Sequence, residues 1–342
     1  MVDMNNKCKV LVVSSTFETE PEALETLINA GLNVICVPIL ERENWEEADF
    51  ISAIKDVDAL VLGGEYEITE KVIASANKLK VISLNCTGYN HVNIEAATKK
   101  NIIVCNAPGL SFSAVADFIM GQILAIMRNI VKGDRMIRSG QWVKGVEKSC
   151  AVSGKTIGIL GLGSIGLAVA KRAKGFDMRI VANARHPKQE LEIEYGFKYV
   201  DKGKLIEISD IIVLCCPLSK ETFHLISEKE LNTMKKTAFI INSSRGPIID
   251  EEALYNALKN KKIAGAALDV YSEEPLYKSK FFELDNVVLT PHIAGLADKQ
   301  ILDVAVRAAK NLVSALHGEK SNYIINPEVI VIGKTNNHDK GE

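Results

Sequence analysis

Three glycines at the spacing G-x-G-x-x-G constrain this chain more than any other feature, because of what flanks them. The stretch Lys155–Gly166 opens with the apolar run Thr156-Ile157-Gly158-Ile159-Leu160, passes Gly161, Gly163 and Gly166, and continues into Leu167–Arg172. A short apolar run, a turn and a helical pattern, in that order, predict a buried parallel strand feeding a helix. Each glycine then has its own task. Gly161 permits the tight turn, Gly163 lets the backbone approach a pyrophosphate, and Gly166 lets helix and strand pack closely. The phosphates would rest against free N–H groups at the positive end of the helix. In a chain with 23 glycines the spacing alone proves little, and a plain tight turn is the competing reading. The strand-turn-helix setting favours a dinucleotide site.

A parallel strand needs neighbours, and the rest of the chain supplies them. The first hundred residues alternate apolar runs at Lys9–Ser14, Asn33–Pro38, Ala59–Leu62, Lys80–Leu84 and Ile102–Cys105 with helical patterns at Glu20–Ala30, Asn44–Lys55, Thr69–Lys78 and Asn93–Lys100. Thr69 reads as a cap, with Glu70 in the first turn. This alternation predicts a doubly wound parallel sheet, and without a glycine-rich phosphate loop it should not be the nucleotide domain. A second series begins at Thr156, with strands at Met178–Ala182, Asp210–Cys215, Ala238–Asn242, Ile263–Asp269 and Asn286–Thr290 and helices at Glu251–Lys259 and Ile301–His317. The expected fold class is therefore α/β, with two doubly wound parallel-sheet domains. Asn106-Ala107-Pro108-Gly109 marks a crossing between them. Ser113–Ile130 predicts one long apolar helix, and a basic segment with Gly133, Gly140, Trp142 and Gly145 follows it. That helix and arm could pack on the second domain or on another subunit. Residues 332–342 read as a disordered tail.

Bulk properties exclude other classes. A net charge of −2 gives no electrostatic reason to expect nucleic acid or an anionic membrane as partner. The polar start Met1–Lys9 and the short run Val10–Val13 do not form a signal peptide, and no stretch approaches a membrane span. The seven cysteines, Cys8, Cys36, Cys86, Cys105, Cys150, Cys215 and Cys216, are odd in number, contain no C-x-x-C and sit mostly in apolar runs. Reduced thiols in a cytoplasmic protein explain them, and no metal site is expected.

In open parallel sheets, ligands bind beyond the carboxyl ends of the strands. Asn242-Ser243-Ser244-Arg245-Gly246 follows one strand end, Asp269-Val270-Tyr271-Ser272-Glu273-Glu274-Pro275 a second, and Thr290-Pro291-His292-Ile293-Ala294-Gly295 a third. A guanidinium, a carboxylate and an imidazole thus converge on one rim. The set suits hydride transfer to a 2-keto acid. Arginine clamps a carboxylate and polarises the keto group, histidine donates the accompanying proton, and glutamate keeps the imidazole protonated and oriented. Singly, Arg245 could be a surface ion-pair partner, Glu274 a turn carboxylate and His292 a satisfied strand-end histidine. Their succession after a dinucleotide motif favours catalysis.

The ordered motifs G-L-G-S-I-G, N-S-S-R-G, L-D-V-Y-S-E-E-P and T-P-H-I-A-G resemble the D-isomer-specific 2-hydroxyacid dehydrogenases over nearly the whole chain. The resemblance implies Arg245, Glu274 and His292 as catalytic residues and Asp269 as the holder of the nicotinamide carboxamide. It implies a ribose-covering loop at Cys216-Pro217-Leu218-Ser219 with Thr222, and further cofactor contacts at Ser164, Ile165, Ser244, His292 and Gly295. Substrate contacts fall at Thr87, Gly88, Gly64, Arg245 and His292. The implied architecture is a flavodoxin-like substrate domain, discontinuous over 1–106 and 295–331, and a Rossmann cofactor domain over 107–294. A cleft that closes and excludes water is expected between them, as is a homodimer joined through 113–148.

For an NAD site, Asp or Glu is expected about twenty residues past the glycines. Here Ala184 takes that place, followed by Arg185 and His186. A missing carboxylate removes repulsion of a 2′-phosphate, and a guanidinium can bind it. Asn183-Ala184-Arg185 also resembles NADPH-preferring glyoxylate/hydroxypyruvate reductases, so NADP(H) is favoured and NAD(H) remains possible, with Arg185 then stacking on adenine. Phosphoglycerate dehydrogenases carry an arginine in the loop that here reads Gly63-Gly64-Glu65-Tyr66, and no additional regulatory domain is expected. The expected substrate is a small unphosphorylated 2-keto acid, hydroxypyruvate or glyoxylate. The alternatives are D-3-phosphoglycerate dehydrogenase, a D-lactate-type enzyme and, more remotely, a dinucleotide-sensing corepressor. Formate dehydrogenases have Gln in place of Glu274.

Overall fold

The computed structural model describes residues 7–64, 66–142, 148–319 and 321–329. Glu65, Gly145 with the rest of 143–147, and the expected tail at 332–342 lie outside the described residues. The chain divides into two compact units, residues 1–111 with 297–342, and residues 112–296.

Among the described residues the first unit holds five strands: β1 (Lys9–Val13), β2 (Asn33–Cys36), β3 (Ala59–Leu62), β4 (Val81–Leu84) and β5 (Ile103–Cys105). All pair in parallel, in the order β2-β1-β3-β4-β5. Their unbroken apolar runs follow from burial on both faces. Leu11, Val13, Leu60, Leu62 and Ile82 face a core with Phe50, Ile54 and Ile73. Val10, Val12, Ala59 and Val61 face Phe17, Leu27, Ala305, Ala309 and Leu312 on the other side. The last three belong to the helix Asp298–Leu316, which therefore completes the first unit. Ser83 donates to the Ala308 carbonyl at 2.7 Å and Asn311 to the Asn106 carbonyl at 2.8 Å, fixing that helix to β4 and to the end of β5.

Among the described residues the second unit holds seven parallel strands, β6 (Thr156–Leu160), β7 (Arg179–Asn183), β8 (Lys198–Tyr199), β9 (Ile211–Leu214), β10 (Phe239–Asn242), β11 (Gly265–Leu268) and β12 (Val287–Leu289). Their order is β12-β11-β10-β9-β6-β7-β8, so the winding reverses between β6 and β9. That reversal is where ligands enter a doubly wound sheet. Ile157, Ile159, Ile211, Val213 and Ile241 pack under the helices Phe112–Met127 and Ser164–Gly175. Leu160, Ile212, Leu214 and Ile240 pack against Leu205, Leu254 and Leu258 on the opposite face.

Several expected elements differ. The single helix at Ser113–Ile130 ends at Met127, and a second helix, Ile130–Arg138, leaves at 62°. The break is at Asn129, whose φ of 55° is left-handed, a conformation asparagine tolerates better than most residues. The helix expected at Asn44–Lys55 begins only at Glu47, after a separate turn at Ile39–Arg42, and Thr69–Lys78 contracts to Glu70–Ser75. Thr69 does cap it, accepting from the Val72 N–H. The short strand β8 and the helices Gln189–Tyr195, Lys202–Ile208 and Glu228–Thr233 have no counterpart in the sequence reading. No single helix among the described residues is long and apolar enough to cross a membrane.

Candidate active site

The glycine turn joins β6 to the helix Ser164–Gly175. Gly161 has φ +97°, and a Cβ there would lie 2.6 Å from the Cys216 nitrogen and 2.7 Å from the Cys215 carbonyl carbon. Its N–H donates to the Asn183 carbonyl at 2.9 Å, tying the turn to the end of β7. A Cβ on Gly166 would strike the Gly161 carbonyl oxygen, so the helix enters as close as backbone allows. Gly163 differs from both: a Cβ there would meet nothing within 4 Å. It is exposed, as is Ser164, while Ile165 is half-buried, and no side chain caps the helix they begin. Uncapped N–H groups beside open space fit a dinucleotide diphosphate.

Around this turn lie the other cofactor candidates. Arg185 and His186 are exposed beyond β7. Arg185 also faces a carboxylate: Glu221 is held below the ordinary carboxyl range chiefly by the Ser219 hydroxyl, with the Arg185 charge adding to it. Pro217, Ser219 and Thr222 form a closed turn, in which Thr222 Oγ1 donates to the Pro217 carbonyl and accepts from the Ser219 N–H, each at 2.7 Å. Cys216 is buried and its thiol is pushed up to about 11 by that burial. Its carbonyl accepts from Ser244 Oγ.

Arg245, Glu274 and His292 follow β10, β11 and β12, neighbouring strands of one sheet. The imidazole and the carboxylate meet directly, His292 Nδ1 lying 2.7 Å from Glu274 Oε2. Glu274 Oε1 accepts from the Tyr271 N–H at 2.9 Å, so both oxygens are fixed. Partial desolvation raises the Glu274 carboxyl, but the His292 and Tyr271 hydrogen bonds and the His292 and Arg245 charges outweigh it, and the carboxyl titrates below its ordinary range. Arg245 Nη1 donates to the Ser244 carbonyl at 2.6 Å. The two loops touch through Gly246, where a Cβ would lie 1.9 Å from the Tyr271 carbonyl carbon.

His292 has φ +54°, which for a non-glycine residue costs about 1–2 kcal/mol. Asp269 holds it there. This fully buried carboxylate accepts from the Ile293 N–H at 3.0 Å, the Ala294 N–H at 2.8 Å and Thr290 Oγ1 at 2.6 Å. Asp269 is thus already engaged by the histidine loop, which sequence reasoning did not foresee. Tyr271 adds a second brace, its hydroxyl donating to the Leu268 and Thr290 carbonyls, and burial pushes that phenol up to about 12. Gly295 is half-buried at the end of the same loop, with open space around it.

In the first unit, Gly64, Thr87 and Gly88 lie on loops at the carboxyl ends of β3 and β4. The Thr87 carbonyl accepts from Asn106 Nδ2 at 2.7 Å, and the Gly88 carbonyl accepts from Cys86 Sγ at 3.1 Å. Beside that rim, Arg42 is buried with its guanidinium already committed to the Val37 carbonyl, the Tyr66 hydroxyl and Glu18.

Residues 120–294 match the model of the D-isomer specific 2-hydroxyacid dehydrogenase, NAD binding domain, family. A glyoxylate reductase of Pyrococcus horikoshii is 45% identical over 291 residues, covering 83% of this chain and 87% of that enzyme. A glyoxylate reductase structure from Paecilomyes thermophila, 29% identical, superposes with a TM-score of 0.80 over 94% of this chain and 99% of that one. An NADPH-dependent glyoxylate/hydroxypyruvate reductase from Sinorhizobium meliloti, 26% identical, gives 0.80 over 94% and 99%.

Proposed function

Because the chain belongs to the D-isomer specific 2-hydroxyacid dehydrogenase family, we propose that it reduces a small unphosphorylated 2-keto acid, glyoxylate or hydroxypyruvate, to the D-2-hydroxy acid, which is achiral glycolate in the first case. The observation that carries this reading is the His292–Glu274 pair at one sheet rim, one strand from Arg245 and beyond the glycine turn. A nicotinamide dinucleotide supplies the hydride when bound. Gly161, Gly163, Ser164, Ile165 and Gly166 would hold its diphosphate, and the Pro217–Thr222 turn and Ser244 would border its ribose. Arg245 grips the substrate carboxylate and draws charge onto the keto oxygen. His292 delivers the proton to that oxygen, and Glu274 keeps the imidazole aimed and compensates its charge. Thr87, Gly88 and Gly64 are assigned to the substrate on the resemblance.

NADP(H) is the favoured cofactor. Ala184 offers no carboxylate to repel a 2′-phosphate, Arg185 and His186 are exposed beside it, and a solved relative is an NADPH-dependent reductase. The preference for an unphosphorylated acid is supported by Gly63 and Gly64, which bring no side-chain donor, and by Arg42, whose guanidinium is engaged elsewhere. We read the enzyme as cytoplasmic, on seven cysteines without a disulfide, and as a homodimer through 113–148. In that region the helix Ile130–Arg138 buries no residue within its own chain and leaves Ile130 and Ile137 exposed.

A coenzyme-oxidation screen with NADPH and NADH across glyoxylate, hydroxypyruvate, pyruvate and 3-phosphohydroxypyruvate tests the reading. The first two acids should turn over fastest, with NADPH. Robust turnover of the phosphorylated acid with little of hydroxypyruvate overturns the substrate assignment, and a clear NADH preference overturns the cofactor assignment.

A further inference from the structure

One polar side chain sits where the apolar helix Phe112–Met127 crosses the carboxyl ends of the strands. Gln122 is 3% exposed, among Ile119, Ile123 and Ile126 of the core. A buried amide is costly unless its hydrogen bonds are made. Here both ends are used, and on different loops. Ser243 Oγ donates to Gln122 Oε1 at 2.7 Å, and Gln122 Nε2 donates to Thr290 Oγ1 at 3.4 Å. Thr290 in turn donates to Asp269 Oδ1, the carboxylate that anchors the Ile293 and Ala294 N–H groups.

The register of these contacts matters. Ser243 lies two residues before Arg245, and Thr290 two residues before His292. One amide therefore ties the loops after β10 and β12 at equivalent points, skipping the intervening β11. We propose that Gln122 is a positioning residue for the reductase reaction, setting the separation of the Arg245 and His292 loops through Ser243 and Thr290. It touches neither substrate nor cofactor. The proposal rests on the roles given to Arg245 and His292 above. A keto acid held by the arginine must present its oxygen to the imidazole, and small misplacements at that step are costly in rate.

The test uses the full-length enzyme and three variants. Gln122→Met keeps the volume and removes the amide, Ser243→Ala cuts one limb with little change to the core, and the third variant combines them. For each, kcat and KM for glyoxylate, the NADPH dissociation constant and Tm are measured. Gln122→Met should lower kcat/KM for the acid about three- to tenfold, the scale of a lost hydrogen bond, chiefly in kcat. NADPH affinity should stay within about twofold, since the glycine turn is untouched. The double variant should be no slower than Gln122→Met, because both remove the same bond. A Gln122→Met enzyme with wild-type kcat/KM overturns the proposal, as do additive losses, or a loss shared by NADPH binding and Tm. Should Gln122→Met not fold, Ser243→Ala decides alone, wild-type kinetics there overturning the proposal. Absence of turnover in the unmodified enzyme overturns the functional reading and this proposal together, whereas a fully active Gln122→Met enzyme overturns the proposal only.

Discussion

Two glycines of one motif should fail in opposite ways when a methyl group is added. Gly163 has φ −87° and ψ −164°, a backbone that alanine adopts freely, and a Cβ there meets nothing within 4 Å. Gly163→Ala should therefore leave the ligand-free protein folded, and about 0.4–1 kcal/mol more stable, because alanine has fewer unfolded conformations to lose. The same methyl group occupies the path by which a diphosphate approaches the backbone. Overpacking of that kind costs about 1–3 kcal/mol. In a dissociation constant this is roughly 5- to 150-fold. Gly161→Ala inverts the pattern. Its φ of +97° adds about 1–2 kcal/mol for an L-residue. Its Cβ, at 2.6 Å and 2.7 Å from backbone atoms of Cys216 and Cys215, adds about 1–3 kcal/mol more. Calorimetry of the ligand-free proteins and fluorescence titration with NADPH separate the two. Gly163→Ala binding NADPH as tightly as the parent would refute the placement of the diphosphate. Gly161→Ala with parental Tm would refute the account of the turn.

Three further outcomes follow from the rim. His292→Gln should lower kcat by about 10²- to 10⁴-fold while NADPH binding stays nearly intact, and surviving activity in a steady-state assay would remove the histidine as proton donor. Glu274 has a folded carboxyl lowered from 4.5, so it contributes stability that is complete above the unfolded value and is lost as pH falls through the folded one. Wild type should accordingly exceed Glu274→Gln in Tm at neutral pH, with the gap closing below about pH 4.5. A gap that widens with acidity would contradict the sign. Arg185→Ala should raise KM for NADPH about two- to fivefold, the value of an exposed ion pair, with less effect on NADH; equal changes for both coenzymes would remove Arg185 as a phosphate ligand.

Much of this site is legible in the sequence because its chemistry lies at the ends of buried strands. An apolar run such as Ile240-Ile241 or Val287-Val288 has few alternatives to a two-face buried strand, and the polar residue that follows is then at the rim. Arg245, Glu274 and His292 are placed at the rim this way before any contact is known. What escapes is decided by single conformations or by distant partners. The helix break depends on one φ, at Asn129, inside an otherwise continuous apolar pattern. The helix Gln189–Tyr195 buries no residue, so it carries no periodic signal. Asp269 reads as a polar strand end, and nothing local announces that it takes the N–H groups of Ile293 and Ala294, more than twenty positions later. Gln122 reads as an interruption in an apolar helix until Ser243 and Thr290 are placed beside it.

The same contrast separates the two ends of the rim. On the proposed catalytic side, each loop is fixed by several independent constraints. Gly246 lies against the Tyr271 backbone, Glu274 is held by Tyr271 and His292, and the left-handed turn at His292 is held by Asp269. Such over-determination lets a strained residue persist, and it restricts the imidazole to a narrow range of positions. On the proposed adenosine side, Arg185 and His186 are exposed, and the Arg185 charge reaches the Glu221 carboxylate. A phosphate entering there must compete with that carboxylate in a setting screened by water, where a single ion pair is worth little. The proposed preference for NADP(H) thus depends on a balance between the Arg185 guanidinium and the Glu221 carboxylate. Glu221→Gln should tip it further toward NADPH, visible as a ratio of kcat/KM for NADPH over NADH larger than the parent's, with the difference shrinking at high salt. An unchanged ratio would place Glu221 outside the coenzyme site.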